Sequence, residues 1–110
     1  MTGMVIDMNE GSALAGFSAL SDPSRLHILR MLVERGSHGV AAGDIAREIG
    51  ASPSRTSFHL AALSRAGLVT SRREGRGVIY SIKLDQMSDL LRWLVNDCLG
   101  GNEELRAAVR

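Results

Sequence analysis

Residues 52–60 read S-P-S-R-T-S-F-H-L, and the order of polar and apolar positions in this run decides the fold. Ser52 followed by Pro53 is a helix start: serine satisfies a free N–H of the first turn, and proline loses nothing at the first helical position. At about 100° per residue, Thr56, Leu60 and Leu63 share one face of the helix that follows. Ser54, Arg55, Phe58, Ala62 and Arg65 share the opposite face, with Ser57 and His59 on the flanks. Ala66-Gly67 ends the helix, Gly67 serving as a left-handed C′ residue and Leu68 folding back as the apolar contact of a Schellman motif. A helix that only packs has no use for a polar, outward-facing first half. A helix whose N-terminal side chains are read by a partner has.

Upstream, Ile45, Ala46 and Ile49 predict a brief helix over 44–49 that Gly50 terminates, so I-G-A-S-P is the turn of a helix-turn-helix. Downstream, L68-V-T-S-R and G77-V-I-Y-S-I read as two strands of a hairpin, with R-E-G-R-G at the tip supplying the turn glycines. Together they describe a winged helix. Nearer the N-terminus, Leu14, Phe17 and Leu20 predict a first helix over 12–20 capped by Ser12. Asp22-Pro23 then opens a second helix, with Leu26, Leu29, Leu32 and Val33 as its buried stripe and Gly36 as its stop. Residues 37–43 read as a loop. Over 85–99 the apolar positions Met87, Leu90, Leu91, Leu94, Val95 and Cys98 form a long stripe that Gly100-Gly101 ends. The expected fold is mainly α with a small β-hairpin. It is a single winged helix-turn-helix domain over 1–110, with 1–11 as a flexible arm and 100–110 as a tail. In a domain this small, the first and last helices are expected to build a dimer interface rather than a private core.

Composition bounds the function. The 110 residues are 45% hydrophobic and 23% charged, as in a soluble globular domain, and no apolar run approaches a bilayer span. The first eleven residues lack the cationic start and apolar stretch of a secretion signal, so a cytoplasmic location with no membrane association is expected. The net charge of +1 hides an asymmetry. Residues 1–50 carry four arginines against six acids and residues 84–110 three against five, whereas residues 51–83 carry six cations against Glu74 alone. Twelve of the thirteen cations are arginine, the residue suited to bidentate phosphate and guanine contacts. A cationic middle third points to a polyanion partner. No glycine-rich phosphate cradle follows a strand and no nucleophile–base set is present, so an enzyme is not expected.

The candidate DNA contacts follow from the helix-turn-helix geometry, in which the second helix presents its N-terminal side chains to base edges. They are Ser54, Arg55, Ser57, Phe58 and His59. Arginine bridges guanine O6 and N7, hydroxyls reach bases or phosphates, and phenylalanine touches a thymine methyl. Arg72, Arg73 and Arg76 of the wing reach phosphates or the adjacent minor groove. Each has a structural alternative. Ser52 and Ser54 serve as caps, His59 packs at the edge of the buried face, Phe58 buries against the wing, and the wing arginines form a solvated tip.

The runs S-D-P-S-R-L-H-I-L-R-M-L, D-I-A-R-E-I-G-A-S-P-S-R-T-S-F-H-L-A-A-L-S-R-A-G-L-V and R-R-E-G-R-G-V-I-Y resemble the ArsR (arsenic-repressor) family of winged-helix metalloregulators over residues 12 to 99. The resemblance implies a homodimer joined by its first and last helices. It further implies a repressor that binds an inverted-repeat operator in double-stranded DNA and leaves it when an inducer docks. The sensor positions depart from the family pattern. Where soft-metal sensors of this family carry C-x-C-D, residues 40–44 are V-A-A-G-D, and no histidine stands on the last helix, where zinc sensors place theirs. The remaining clue is N96-D-C-L-G-G101, similar to a D-C-C-G-G ending that holds trivalent arsenic, with Leu99 in place of the second cysteine.

Trivalent arsenic or antimony takes about two or three sulfurs for tight binding, so Cys98 serves arsenite or antimonite only with a second copy or a small thiol. Its alternatives are a packed small hydrophobe and a redox switch. An ArsR-like regulator without a metal site, and a winged helix used as a protein-interaction module, are the remaining readings.

Overall fold

The Asp22-Pro23 and Ser52-Pro53 pairs act as the sequence predicts. The structure, a computed structural model, describes residues 8–109. Asp22 accepts the Arg25 backbone N–H at 3.1 Å and opens helix α2 (Pro23–Arg35). Ser52 accepts the Arg55 backbone N–H at 3.1 Å and opens α4 (Pro53–Arg65). Between them lie a 3-10 turn (Gly36–His38), the two-residue strand β1 (Val40–Ala41) and helix α3 (Ala42–Ile49), which Gly50 ends at a left-handed φ of 68°. The stretch read as loop over 37–43 is therefore ordered. Two residues are too few to show a strand period in sequence, and β1 exists only because the strand carrying Tyr80 lies beside it.

The C-terminus of α4 closes as a Schellman motif: the Leu68 N–H donates to Leu63 O at 3.0 Å and the Gly67 N–H to Ser64 O at 2.9 Å. Leu68 is fully buried, so the chain leaves α4 in a fixed direction. The hairpin that follows consists of β2 (Val69–Glu74) and β3 (Gly77–Ile82), in register from Val69 opposite Ile82 to Glu74 opposite Gly77. Gly75-Arg76 is the two-residue loop, with Gly75 at the left-handed φ that a hairpin turn places at its first central residue. β1 adds antiparallel to the other side of β3, Val40 opposite Tyr80, giving the sheet order β1-β3-β2.

The core lies where α2, α3 and α4 meet the sheet. Ile28, Leu29, Met31 and Leu32 of α2, Ile45 of α3, Leu60 and Leu63 of α4, and Leu68, Val69 and Val40 are buried together. On α2 this corrects the expected stripe: Leu29 and Leu32 are inside, but Leu26 and Val33 are exposed and Ile28 and Met31 take their places. Both sets repeat at helical spacing, so only the packing partner selects between them.

Helix α1 (Glu10–Leu20) shows the same effect. Its cap is Asn9, which accepts the Ser12 N–H at 2.8 Å, so Ser12 lies inside the helix, and Glu10 and Gly11 belong to it rather than to an arm. The rest of the expected arm, residues 1–7, lies outside the described residues. The buried side of α1 is the small set Ala13, Gly16 and Ala19; Leu14 faces outward, and Phe17 and Leu20 are half-buried. Gly16 admits Leu90 of the last long helix so closely that a Cβ there would lie 2.9 Å from Leu90 Cδ2.

That last helix, α5 (Leu84–Arg92), continues as a π-helix over Trp93–Cys98, seen in the bond from Leu99 N–H to Leu94 O at 3.0 Å. Leu90 and Val95 are buried, whereas Leu84, Leu91 and Leu99 are exposed. The wider winding rotates the last residues off the α-helical stripe, and Cys98 is exposed rather than packed. The expected tail forms a short helix, α6 (Glu103–Ala108), capped by Asn102 and tied back by Arg106, whose Nε donates to Asn96 Oδ1 at 3.1 Å. No helix among the described residues is long and apolar enough to cross a membrane.

Gly39 joins the 3-10 turn to β1 at φ 75°, ψ −175°, a region open essentially to glycine alone. A Cβ would sit 2.6 Å from Ile79 Cγ2 and 2.7 Å from the Tyr80 carbonyl oxygen. Gly39→Ala is therefore expected to cost more than the roughly 1–3 kcal/mol of backbone strain alone. Gly36→Ala, with a φ of 64° but nothing within 4 Å of its Cβ, should cost less. Thermal unfolding by circular dichroism checks the order of the two midpoints.

Candidate nucleic-acid interface

Helix α4 sorts its side chains as the helical wheel predicts. Thr56, Leu60 and Leu63 are buried, and Ser54, Arg55, Ser57 and Phe58 are exposed. Ser52 is occupied as the cap, and its Oγ lies 3.3 Å from that of Ser54. The Arg55 guanidinium makes no hydrogen bond or ion pair among the described residues and stands in the first turn, where a recognition helix meets base edges. Phe58 does not bury against the wing; it is 60% exposed.

His59 is the nominated residue that the structure turns inward. Only 4% of it is exposed, and its Nδ1 accepts a hydrogen bond from Arg25 Nε at 3.2 Å. With Nδ1 as acceptor, the neutral ring carries its proton on Nε2. The Asp22 carboxylate lies 3.8 Å from the same nitrogen while capping α2. Phe58 and His59 meet edge to face, centroids 6.0 Å apart, and the Arg25 guanidinium carbon stands 5.9 Å from the Phe58 centroid. The N-terminus of α2 is thus clamped to the middle of α4 through one arginine. Helical periodicity placed His59 at the edge of the packing face, but no sequence signal linked it to a residue 34 positions earlier.

The wing arginines divide. β2 runs to Glu74, so Arg72 and Arg73 are strand residues rather than tip residues, and strand alternation sends them to opposite sides. Arg72 is spoken for: its Nε donates to Glu74 Oε2 at 3.0 Å and a terminal nitrogen to the His38 carbonyl at 2.9 Å, fastening β2 to the 3-10 turn. The guanidinium groups of Arg73, and of Arg76 in the two-residue turn, make no hydrogen bond or ion pair among the described residues. Since the Schellman turn joins α4 directly to β2, the wing rises from the C-terminal end of the same helix.

A helix-turn-helix domain family matches residues 20–72, the span from the end of α1 into the wing. The HTH-type transcriptional regulator YgaV of Escherichia coli is 42% identical over 84 residues, which cover 76% of this chain and 83% of that protein. Among solved structures, an ArsR-like transcriptional regulator from Rhodococcus superimposes with a TM-score of 0.70 at 29% identity, covering 90% of this chain and 89% of the other. The chain belongs to the ArsR family. A further neighbour of this ArsR-family chain is the homodimeric winged helix-turn-helix DNA-binding domain from Mycobacterium bovis. It has a TM-score of 0.64 at 29% identity and covers 84% of this chain and 91% of its own. The protein is accordingly a DNA-binding winged-helix transcriptional regulator.

Because Ser52 caps the recognition helix of this regulator, Ser52→Ala should destabilise the fold by about 1 kcal/mol. For a domain of this size that is a fall of roughly 4–8 °C in the unfolding midpoint. An unchanged midpoint would remove the cap from the account of how α4 is presented.

Proposed function

We propose that the chain acts as a homodimeric repressor that binds an inverted-repeat operator and is released from it by an inducer. The observation that carries this reading is the outward face of α4, where Ser54, Arg55, Ser57 and Phe58 are exposed and the Arg55 guanidinium has no partner among the described residues. In each half-site these four side chains enter the major groove, Arg55 bridging a guanine and Phe58 meeting a thymine methyl. Arg73 and Arg76 reach the flanking phosphates or minor groove. Arg72 shapes the wing, and its guanidinium is turned to Glu74 and His38 first. His59 acts through Arg25 rather than at a base.

Dimerisation is supported by the homodimeric Mycobacterium neighbour and by large apolar side chains left outside on the first and last helices, Leu14, Leu84, Leu91 and Leu99. Those four are what a second copy would cover, leaving two α4 helices to address successive major grooves about one helical turn apart. The partner is then double-stranded DNA, and no other class of macromolecule is required.

The inducer acts through the last helix. One chain supplies one thiol, and no cluster of three or more His, Cys, Asp or Glu side chains that could hold a metal occurs among the described residues. That donor set does not fit arsenite or antimonite, which would need the Cys98 of a second copy or a small thiol to complete the shell. Cys98 is exposed within one chain, so in the proposed dimer it lies beside the face a second copy would cover, within reach of that copy's thiol or of an oxidant.

Arg55→Ala and Arg76→Ala should each weaken operator binding while leaving the dimer intact by light scattering. Wild-type affinity should fall steeply with added salt, because phosphate contacts release condensed cations. A gel shift with no salt-sensitive complex would favour a protein-interaction module instead. For the inducer, Cys98→Ser should lose DNA release by arsenite, antimonite or peroxide, whichever acts on the wild type; unchanged release takes Cys98 out of the mechanism.

A further inference from the structure

Arg25 is bound by one nitrogen only. Its Nε donates to His59 Nδ1, its plane lies near the Phe58 ring, and both terminal NH2 groups lack a partner among the described residues. No carboxylate lies within ion-pair distance of its guanidinium there, although Asp22 is close enough to cap its backbone. A guanidinium used solely to tie two helices together would be expected to spend its fork on a carboxylate, the geometry that uses both terminal nitrogens. Here the two-pronged end is left free and the side nitrogen is used as an anchor.

Arg25 also lines a concavity of about 280 Å³ between α1, α2 and α4, beside the exposed Phe58. The charged residues lining it are Arg25 and Arg65, and Ser18 adds a hydroxyl. The Arg65 guanidinium has no hydrogen bond or ion pair among the described residues, and the lining contains no acid. A depression lined by two arginines and no acid, with the nearby Asp22 carboxylate turned to the α2 cap, lies beside the outward face of α4 and fits an oxyanion held by bidentate contacts. Duplex DNA presents such an oxyanion beside any helix seated in its major groove, since the phosphate backbone forms the groove's wall.

We propose that Arg25 is a DNA-backbone contact outside the helix-turn-helix and the wing, taking one operator phosphate at this α1–α2–α4 depression, with Arg65 at its far side and His59 as its positioning residue. The buried imidazole fixes the Arg25 side chain by its Nε, so that the fork reaches the phosphate without first losing its rotational freedom. The same contact couples α2 to α4, so the phosphate bound by Arg25 and the bases met by Arg55 are held at one spacing. The proposal rests on the operator-binding reading above.

The test is operator affinity as a function of salt for the full chain, measured by fluorescence anisotropy from 50 to 200 mM. Removing one phosphate contact lowers the slope of log K against log salt by about one. Over that fourfold range, Arg25→Ala should therefore lose roughly threefold less affinity than wild type does, besides binding more weakly at every salt. His59→Ala keeps the charge but frees the side chain, so it should bind several-fold more weakly with the wild-type slope. A wild-type slope for Arg25→Ala, when Arg55→Ala binds weakly, overturns the Arg25 site and leaves the α4 reading standing. Wild-type binding by both variants sinks that reading as well. Should Arg25→Ala fail to fold, labelling of wild-type protein with an arginine-specific dicarbonyl, read by peptide mass spectrometry, replaces it. Protection of Arg25 by operator is expected, and equal labelling with and without operator overturns the site.

Discussion

The arrangement depends on the burial of one face of α4. Thr56, Leu60 and Leu63 enter the core formed by α2 and α3, and the Schellman closure seats Leu68 beside them. Fixing that face fixes its opposite, because a helix has a single rotation about its axis once three buried positions are set. The outward side chains are then presented by the helix itself, with Phe58 alone also resting against His59 and Arg25. Truncating one of the buried leucines would cost about 2–5 kcal/mol and would disturb the interface through the helix it aims.

Two polar devices refine the placement. The caps at Asp22 and Ser52 begin α2 and α4 at defined residues, and the Arg25–His59 bond ties those two helices to each other. Arg72 does the equivalent for the wing by reaching the His38 carbonyl, so one arginine of the basic middle third serves shape while its neighbour Arg73 remains available. A count of charges treats the two alike. Their difference arises from strand alternation once β2 extends to Glu74.

Much of the fold was legible because its signals are local. Cap-plus-proline pairs, a C′ glycine followed by leucine, and a glycine-bearing tip between alternating strands are each decided by backbone sterics within a few residues. The apolar stripes were legible only in part. On α1, the leucine and phenylalanine at spacings of three suggested the buried side, yet Ala13, Gly16 and Ala19 pack because Leu90 requires a close approach. On α2, Leu26 and Val33 lie on a face that no described element covers. Periodicity reports that a face exists, not which of two comparable faces meets the core.

The candidate interface divides along the same line. By itself, the sequence determined the helix-turn-helix and its wing, the outward face of α4 and the concentration of arginine near it, because these follow from residue order over one or two turns. Tertiary structure alone decided that His59 faces inward against Arg25, that the Arg72 side chain is engaged while that of Arg73 has no partner among the described residues, that β1 exists, and that the π winding leaves Cys98 exposed. Each of those outcomes joins residues far apart in the chain or depends on a change of helical register. Such relations are set by packing between elements, on which a local pattern of side chains carries no information.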